Sequence, residues 1–267
     1  MALTFATLWV KSLGSLESVL HAYANGTIFG ETYGEGDCRV IWLHGWGRSG
    51  SDFASSAGQL AAHGFASLSL DLPGFGSSPI PLQAGGARHY AQLLIPILKE
   101  MGSAPVILVG HSFGGRIASV LATEVPDRVA GVLFIGAPLV KLQSGTKSPV
   151  GYRLVKKARA LGLVSEAKLE RARQKYGSAD YRAAQGVMRE VLVATVNESY
   201  EAELATIHQP VLALWGSEDR DVPTSVAERA LALVSGETQL QILQGVGHLV
   251  PTTSPNELAA AAESMLK

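Results

Sequence analysis

Short apolar runs alternate along the chain with longer stretches in which apolar residues return every three or four positions. The runs are rich in valine, isoleucine and leucine and end at glycine, proline or aspartate, which is typical of strands buried on both faces. The longer stretches have the period of helices that cover one side of a sheet. The predicted strands are 39–43, 65–71, 106–109, 129–135, 211–215 and 239–243. The predicted helices are 51–63, 87–101, 113–123, 225–234 and 255–265.

Two weaker strands precede this series, at 19–24 and 27–33, and we expect them to form an antiparallel edge. Strands joined by crossover helices run parallel, because each helix brings the chain back to the same end of the sheet. The pattern therefore predicts an α/β fold with a mostly parallel sheet flanked by helices. A chain of 267 residues is long enough to bury such a core in a single domain.

The alternation is interrupted once, after the sixth predicted strand, by a region with helical pattern only. Gly162 has the position of a helix C-cap and Ser165 that of an N-cap. An all-helical insertion at this point predicts a lid over the edge of the sheet. Its predicted helical segments are 152–161, 166–176 and 181–196. The predicted division is a core formed by 1–137 and 209–267, and a helical lid formed by 138–208.

The motif Gly110-His111-Ser112-Phe113-Gly114 follows a predicted strand and opens a predicted helix. A serine in this setting lies on a sharp, strained turn, and only small residues fit two positions before and after it. The turn projects the hydroxyl above the carboxyl ends of the strands, where α/β sheets bind ligands. The pattern indicates Ser112 as a nucleophile. An ordinary glycine-rich turn is the alternative, since short motifs also match by chance.

A second glycine-containing loop, 44–47, follows the strand that ends at residue 43. We expect the backbone N–H of Trp46 to lie opposite that of Phe113, at the start of the helix after the serine. Two such donors form the oxyanion hole that acyl transfer requires. For His44 we expect a structural role, in which its imidazole binds neighbouring loops and holds the turn.

A serine hydroxyl needs a general base to become a good nucleophile. Of the seven histidines, His248 has the best setting, because it lies between the last strand and the last helix, at the same edge of the sheet. Three acids, Glu218, Asp219 and Asp221, follow the strand 211–215, and each is a candidate for orienting the imidazole. We favour Asp219, in the bend before the next helix, and keep Asp221 as the alternative.

At this point the chain resembles the α/β-hydrolase superfamily, and within it the lidded, esterase-like group. In that superfamily the nucleophile, the acid and the base follow in the order that Ser112, Asp219 and His248 have here. The resemblance implies no cofactor and no metal. It disfavours dehalogenases and epoxide hydrolases, which carry an aspartate in place of the serine on the sharp turn, called the nucleophile elbow. The motifs that carry the resemblance are HGWG at 44–47, DLPGFGSS at 71–78, GHSFGG at 110–115, WGSED at 215–219 and GVGH at 245–248.

These expectations combine into a serine hydrolase that cleaves carboxylic esters through an acyl-enzyme intermediate. The same triad also serves carbon–carbon bond hydrolases, lactonases and perhydrolases, and a low-turnover ligand sensor would keep it too. The double glycine is followed by Arg116, and an arginine in this place is found in some lyases of this fold. The predicted substrate-binding residues are Trp46, Phe113, Met188, Leu192 and Leu249. Further apolar lid residues that we expect to line the acyl pocket or pack on the core are Leu154, Leu161, Val187 and Val196.

Positive charge is concentrated in the predicted lid. Between Lys141 and Glu190 there are twelve lysines and arginines against four acids, whereas the rest of the chain has ten basic and nineteen acidic residues. The formal net charge of −1 gives no indication of nucleic-acid binding. A cationic helical face is commonly just solvated; the sharper hypothesis is a docking surface for an anionic acyl donor or an acyl-carrier protein. HGWG with a basic lid is similar to esterases that cleave pimeloyl methyl ester on acyl-carrier protein. The lid cations are Lys156, Lys157, Arg159, Lys168, Arg171, Arg173, Lys175 and Arg182.

Cys38 is the only cysteine of the sequence, so the chain can form no internal disulfide and no cysteine-based metal cluster. A single thiol fits the cytosol and is also compatible with export. The N-terminal stretch lacks the uninterrupted apolar run of a signal peptide, because Lys11 lies within it. No stretch reaches the length of a membrane span. We therefore expect a cytoplasmic protein.

Overall fold

The computed structural model describes residues 18–141, 150–176 and 179–267, and its centre is an eight-stranded sheet. The strands are β1 (Val19–Tyr23), β2 (Ile28–Tyr33), β3 (Cys38–Leu43), β4 (Ala66–Asp71), β5 (Val106–His111), β6 (Val129–Ile135), β7 (Val211–Gly216) and β8 (Thr238–Leu243). Their order in the sheet is β1-β2-β4-β3-β5-β6-β7-β8. β1 and β2 are antiparallel to their neighbours, and β3 to β8 run parallel to one another. The predicted fold, including its antiparallel edge, is confirmed.

Helices cover both faces of this sheet, and each predicted core helix is present with its ends shifted by a few residues. The helices are α1 (Ala54–Ala62), α2 (Ala87–Glu100), α3 (Phe113–Glu124), α4 (Val150–Ala160), α5 (Glu166–Tyr176), α6 (Ala179–Ala183), α7 (Gly186–Asn197), α8 (Glu201–Leu204), α9 (Thr224–Leu231), α10 (Val250–Thr253) and α11 (Pro255–Ser264). Among the residues that the structure describes, no helix is both long and apolar enough to cross a membrane.

The core consists of two apolar layers, one on each face of the sheet. Successive residues of β3 alternate between them: Val40 and Trp42 belong to one layer, Ile41 and Leu43 to the other. All four side chains are fully buried. The parallel strands are therefore apolar at every position because α2 and α3 pack on one face and α1 and α11 on the other. Since β3 to β8 run parallel, the loops that follow them meet at one edge of the sheet, the carboxyl edge.

In the described part of the segment between β6 and β7, five helices, α4 to α8, form a helical insertion. Within its described residues the insertion contains no strand, as the sequence predicts. The prediction of one helix over 181–196 is wrong, because the chain divides there into α6 and α7. Gly186, where α7 begins, has a φ of 49°, a left-handed conformation that interrupts a regular helix.

The apolar side chains of the insertion do not all point inwards. Leu154, Leu161 and Val196 are exposed by 62%, 65% and 52%, so the prediction that they line a pocket or pack on the core is wrong. α4 packs against α5 and uses that helix, rather than the sheet, as its partner. Val187 is partly buried against the core, as expected.

A hydrogen bond joins the segment before α4 to the end of α7. Lys141, in that segment, donates a hydrogen bond of 2.9 Å through Nζ to the carbonyl oxygen of Asn197, at the end of α7. The part of the insertion between these two residues is therefore held together at both ends. The division of the chain into a core and a lid at residues 138 and 208 stays a prediction.

Candidate active site

Ser112 lies between β5 and α3, on a turn with an unusual backbone. Its φ of 50° and ψ of −106° belong to a region that residues other than glycine rarely adopt, at a cost of about 1–3 kcal/mol. Its N–H donates a hydrogen bond of 2.8 Å to the carbonyl oxygen of Ile135, at the end of the neighbouring strand β6. The sheet thus holds the strained turn, and Ser112 is left half-buried at the carboxyl edge.

The glycines on either side of the serine are required by close contacts of the backbone. A Cβ atom on Gly114 would collide with the carbonyl oxygen of Leu43, and one on Gly110 would lie 2.5 Å from Cα of Gly115. The first turn of α3 therefore packs directly on the end of β3. This is the steric reason for the small-x-Ser-x-small spacing that identified the turn in the sequence.

His248 and Asp219 form a hydrogen-bonded pair beside this turn. Nδ1 of His248 lies 2.8 Å from Oδ2 of Asp219. The Asp219 side chain is only 1% exposed, and that of His248 is 16% exposed. The bond to a carboxylate places the proton of the imidazole on Nδ1, so that Nε2 is free to accept a proton.

The loop after β7 explains why Asp219 occupies this position. Its other oxygen, Oδ1, accepts hydrogen bonds from the N–H groups of Asp221 and Val222, at 3.0 and 2.8 Å. The carboxylate is therefore fixed by its own loop before it meets the imidazole. Glu218 and Asp221 are both exposed, and the structure brings the favoured acid, Asp219, to His248.

Gly136, at the end of β6, was not identified from the sequence. A Cβ atom on it would lie 2.9 Å from Nδ1 of His248 and 3.1 Å from Oδ2 of Asp219, and its φ is 50°. The hydrogen-bonded pair thus packs on a backbone that has no room for a side chain. A glycine directly after a buried strand was the available signal, but many strand ends have one.

His44 is buried and holds the loop 44–47, as the sequence analysis expects. Its Nδ1 donates to the carbonyl oxygen of Gly45 at 2.7 Å, and its Nε2 accepts the N–H of Leu72 at 3.0 Å. Burial lowers the pKa of this imidazole to about 4, so the ring stays neutral near pH 7. The carbonyl oxygen of His44 also accepts the N–H of Gly114, which ties the loop to the elbow.

Two backbone N–H groups near the serine remain available as donors. Within the described residues, neither the N–H of Trp46 nor that of Phe113 donates a hydrogen bond. Phe113 is the first residue of α3, where the positive end of the helix dipole favours an anion. The two rings are in edge contact, with centroids 5.6 Å apart.

Aromatic residues missed in the sequence analysis complete this region. Phe75 contacts the ring of Trp46 with centroids 5.0 Å apart, and Tyr90 contacts that of Phe113 at 5.0 Å. Asp71 fixes the loop that carries Phe75 by accepting the N–H of Ser77 at 2.7 Å. The motif DLPGFGSS thus has a structural function, and its phenylalanine was the available signal.

The predicted substrate-binding residues from the insertion and the last loop differ in their surroundings. Met188 is buried, and its Sδ lies 4.0 Å from the hydroxyl of Tyr90. Leu192, one turn further along α7, is 8% exposed. Leu249 follows His248 directly and is 40% exposed. The structure thus brings one face of α7 onto the aromatic region and leaves Leu249 open to solvent.

One group of residues in the described part of the chain has a geometry that could hold a metal ion. Asp219, Asp221 and His248 each offer a ligand atom, and these atoms lie within 4.8 Å of one another. Both oxygens of Asp219 already accept hydrogen bonds from the protein. The same atoms serve better to orient an imidazole than to bind a cation.

Arg116, which was considered as a mark of lyases, is engaged away from the serine. Its Nη1 donates a hydrogen bond of 2.7 Å to the carbonyl oxygen of Thr195, and its guanidinium lies 6.0 Å from the ring of Tyr200. Tyr200 in turn donates to Glu198 at 2.6 Å, and Glu198 accepts the N–H of Ala87 at 2.7 Å. Arg116 thus links the elbow helix to residues 195–200, which we call the root of the insertion.

Comparison with known proteins identifies the family to which the chain is similar. A family model described as the alpha/beta hydrolase family matches residues 40–261. The chain is 36% identical to a pimeloyl-[acyl-carrier protein] methyl ester esterase of Citrobacter koseri over 110 residues, 41% of each chain. It is 27% identical to lipase LipV of Mycobacterium tuberculosis over 258 residues, which covers 88% of this chain and 96% of the relative. The chain spans from 40% to 61% of the length of the first curated relatives that it matches.

A solved structure supports the fold. The crystal structure of a membrane phospholipase A, a bacterial virulence factor, superimposes with a TM-score of 0.70 at 24% identity. The superposition covers 94% of this chain and 86% of the other.

Proposed function

The chain belongs to the α/β hydrolase family, and we propose that it is a serine hydrolase that cleaves carboxylic esters through an acyl-enzyme intermediate. The observation that carries the proposal is the geometry of the carboxyl edge. Ser112 is held there in a strained turn, and the hydrogen-bonded pair of His248 and Asp219 lies on the adjacent loops. The esterase and lipase among the relatives support the same reaction class.

In the proposed reaction, Oγ of Ser112 attacks the carbonyl carbon of the ester while Nε2 of His248 takes the hydroxyl proton. Asp219 keeps the imidazole in the required tautomer and stabilises the imidazolium that forms. The imidazolium then gives its proton to the leaving alcohol, which leaves an acyl group on Ser112. A water molecule that is deprotonated by the same imidazole then attacks the acyl carbon. The imidazolium returns this proton to Oγ of Ser112 as the bond between Oγ and the acyl carbon breaks, which releases the carboxylic acid and restores the free serine.

The oxyanion of each tetrahedral intermediate would be bound by the N–H groups of Trp46 and Phe113. Both donors are free of protein acceptors within the described residues, and Phe113 adds the favourable end of a helix dipole. Donors that are fixed before the reaction stabilise developing charge without the cost of reorganisation.

The acyl group would lie between the aromatic region and the helical insertion, which would act as a lid. In this proposal Trp46 and Phe113, whose rings are in contact, would bind the acyl group from the core, and the buried Met188 and Leu192 would bind it from α7. Leu249 would contact the part of the substrate nearest the solvent. An apolar wall of this kind favours an aliphatic acyl chain, since its burial contributes roughly 0.8 kcal/mol per methylene group.

Hydrolysis of p-nitrophenyl esters of increasing acyl length tests the proposal. Ser112→Ala removes the nucleophile and is expected to lower kcat by at least about a thousandfold. Ser55→Ala, at an exposed position on α1, is the matched control and should behave as the wild type. No turnover of any ester by the wild type, or equal turnover by Ser112→Ala, would overturn the proposal.

The cations of the insertion support a partner for this reaction. Lys157, Lys168, Arg171 and Lys175 are exposed, and one of the relatives is named for an ester carried on acyl-carrier protein. An acidic carrier protein that presents an acyl ester fits such a surface by charge. We therefore include an acyl-carrier protein as the proposed donor of the substrate.

The partner is tested with a double substitution, Lys168→Gln with Arg171→Gln. We expect a KM several-fold higher for an acyl ester on carrier protein, less salt dependence, and unchanged kinetics on a small ester. The matched control is Arg39→Gln with Lys99→Gln, at exposed positions outside the insertion. Identical kinetics of the two double variants on the carrier-bound ester would contradict this partner.

A further inference from the structure

His111, the last residue of β5, is a buried imidazole that the proposed reaction does not use. It is 1% exposed. Its Nε2 lies 3.0 Å from the backbone carbonyl oxygen of His248, across 137 residues of sequence. Because a carbonyl oxygen can only accept, Nε2 must carry the proton and donate it.

The other nitrogen of His111 has no hydrogen-bond partner within the described residues. It faces Gly45, where a Cβ atom would lie 2.8 Å from Nδ1. The ring is thus packed against the backbone of the loop 44–47, and one of its two polar atoms is left unsatisfied in the interior. A buried acceptor without a partner is costly, so the ring is kept at this position at the expense of stability.

The imidazole of His111 stays neutral. Burial, together with the nearby His248, lowers its pKa to about 3. The two rings are close, with centroids 4.8 Å apart. The charged and titratable groups that face His248 are therefore the bonded Asp219, the Asp221 carboxylate within 4.8 Å and a neutral His111.

We propose that His111 is a positioning residue, which fixes His248 relative to Ser112 by binding the backbone of the base from the residue adjacent to the nucleophile. The inference rests on the proposed function. Ser112 and His248 lie on loops after different strands, so the distance between their side chains depends on both loops. The hydrogen bond from His111 provides a direct link between the two loops, and a displacement of about 1 Å can cost about a hundredfold in rate.

Two substitutions separate the hydrogen bond from the space that the ring fills. His111→Phe keeps an aromatic ring but has no donor, and His111→Gln offers an amide donor at a similar distance from the backbone. We expect His111→Phe to lower kcat by roughly tenfold to a hundredfold, with KM changed less than about threefold. His111→Gln should restore most of kcat. Equal kcat for His111→Phe and the wild type, or equal loss in both variants, would overturn the proposal.

The pH profile distinguishes positioning from an effect of charge. Because His111 is neutral, its replacement should leave the acid limb of kcat/KM, which reports the free base, at the wild-type pH. A shift of that limb by a pH unit or more would mean that His111 acts on His248 electrostatically, and positioning would be wrong. Thermal unfolding of each variant checks that a loss of kcat does not reflect loss of folded protein.

A measurement without turnover keeps this inference separate from the proposed function. In a Ser112→Ala background, the Nδ1 proton of His248 should give a downfield NMR signal because it is bonded to Asp219. We expect His111→Phe to broaden or shift this signal, and His111→Gln to retain it. The exposed His21→Phe is the control and should leave it unchanged. An unaltered signal in His111→Phe would overturn the inference even if the protein proved to be no esterase.

Discussion

At the carboxyl edge of the sheet, the carboxylate of Asp219 is 1% exposed and accepts three hydrogen bonds. In the helical insertion, Leu163 is 74% exposed, and Lys157, Lys168, Arg171 and Lys175 are exposed as well. The edge is fixed by backbone hydrogen bonds between neighbouring segments, such as the bond from the N–H of Ser112 to the carbonyl oxygen of Ile135. The insertion is joined to the core through its root and one face of α7. The difference suggests a division of labour, in which the edge determines the chemistry and the insertion the choice of substrate.

The strongest test of this division is Asp219→Asn, which changes one atom at the edge. The amide favours the wrong tautomer of His248, and we expect kcat to fall by about 10⁴-fold. Ester hydrolysis by Asp221→Asn, the exposed acid two residues later, should remain within a few-fold of the wild type. A large loss in Asp221→Asn with activity kept in Asp219→Asn would reverse the assignment of the acid.

Gly136→Ala tests whether activity depends on the close packing of His248 and Asp219 against the backbone of the edge. The new methyl group would push against His248 and Asp219, and we expect kcat/KM to fall by roughly a hundredfold. Gly64→Ala is the control, because Gly64 also has a positive φ but has nothing within 4 Å of the new atom. Similar kinetics in both variants would mean that the pair tolerates displacement.

Acid should destabilise the edge before it affects the insertion. Burial lowers the pKa of His44 to about 4 and that of His111 to about 3, against about 6.5 in the unfolded chain. Below pH 6.5 these two rings therefore bind fewer protons in the folded protein than in the unfolded chain. Their contribution to the free energy of unfolding is fully present above that pH and is lost as the pH falls. Each ring is expected to cost roughly 1.4 kcal/mol per pH unit in that window.

Urea unfolding between pH 7.5 and pH 4.5 measures this slope. His111→Phe should flatten it, since one of the two rings is removed. The insertion has no histidine between residues 138 and 207, so no histidine of its helices contributes to this dependence. A slope unchanged in His111→Phe would mean that this ring is protonated in the folded protein.

Arg116→Met tests whether the link between α3 and the root of the insertion affects the choice of substrate. The substitution removes the donor to Thr195 and the cation beside Tyr200, which should loosen α7 over the acyl site. We expect kcat/KM for long acyl esters to fall by about tenfold, the worth of one charged hydrogen bond, with little change for acetate esters. Arg229→Met, at an exposed position of α9, should have no effect. An equal loss on short and long esters would place Arg116 with the chemistry instead.

The two regions also differ in how far the sequence predicts them. Sharp turns demand particular residues, so the motif around Ser112 could be identified from local pattern, whereas the acid was left as a choice among Glu218, Asp219 and Asp221. Gly136 and Phe75 could not be identified, since their importance arises from atoms of distant loops. In the insertion, the pattern predicted helices, although it joined α6 and α7 into one, and it did not predict which side chains are buried. Leu154 and Leu161 have the spacing of buried residues yet are exposed, because the partner of α4 is another helix of the insertion.

The bond between Lys141 and Asn197 has a consequence for how such a protein can diversify. Since this bond holds residues 141 and 197 together, we expect a segment of different length or sequence between them to change the loop-closure entropy only a little. We therefore expect this segment to be exchangeable between relatives. A chimera that carries the corresponding segment of a relative should keep the ester chemistry of the host core and acquire the acyl-length profile of the donor.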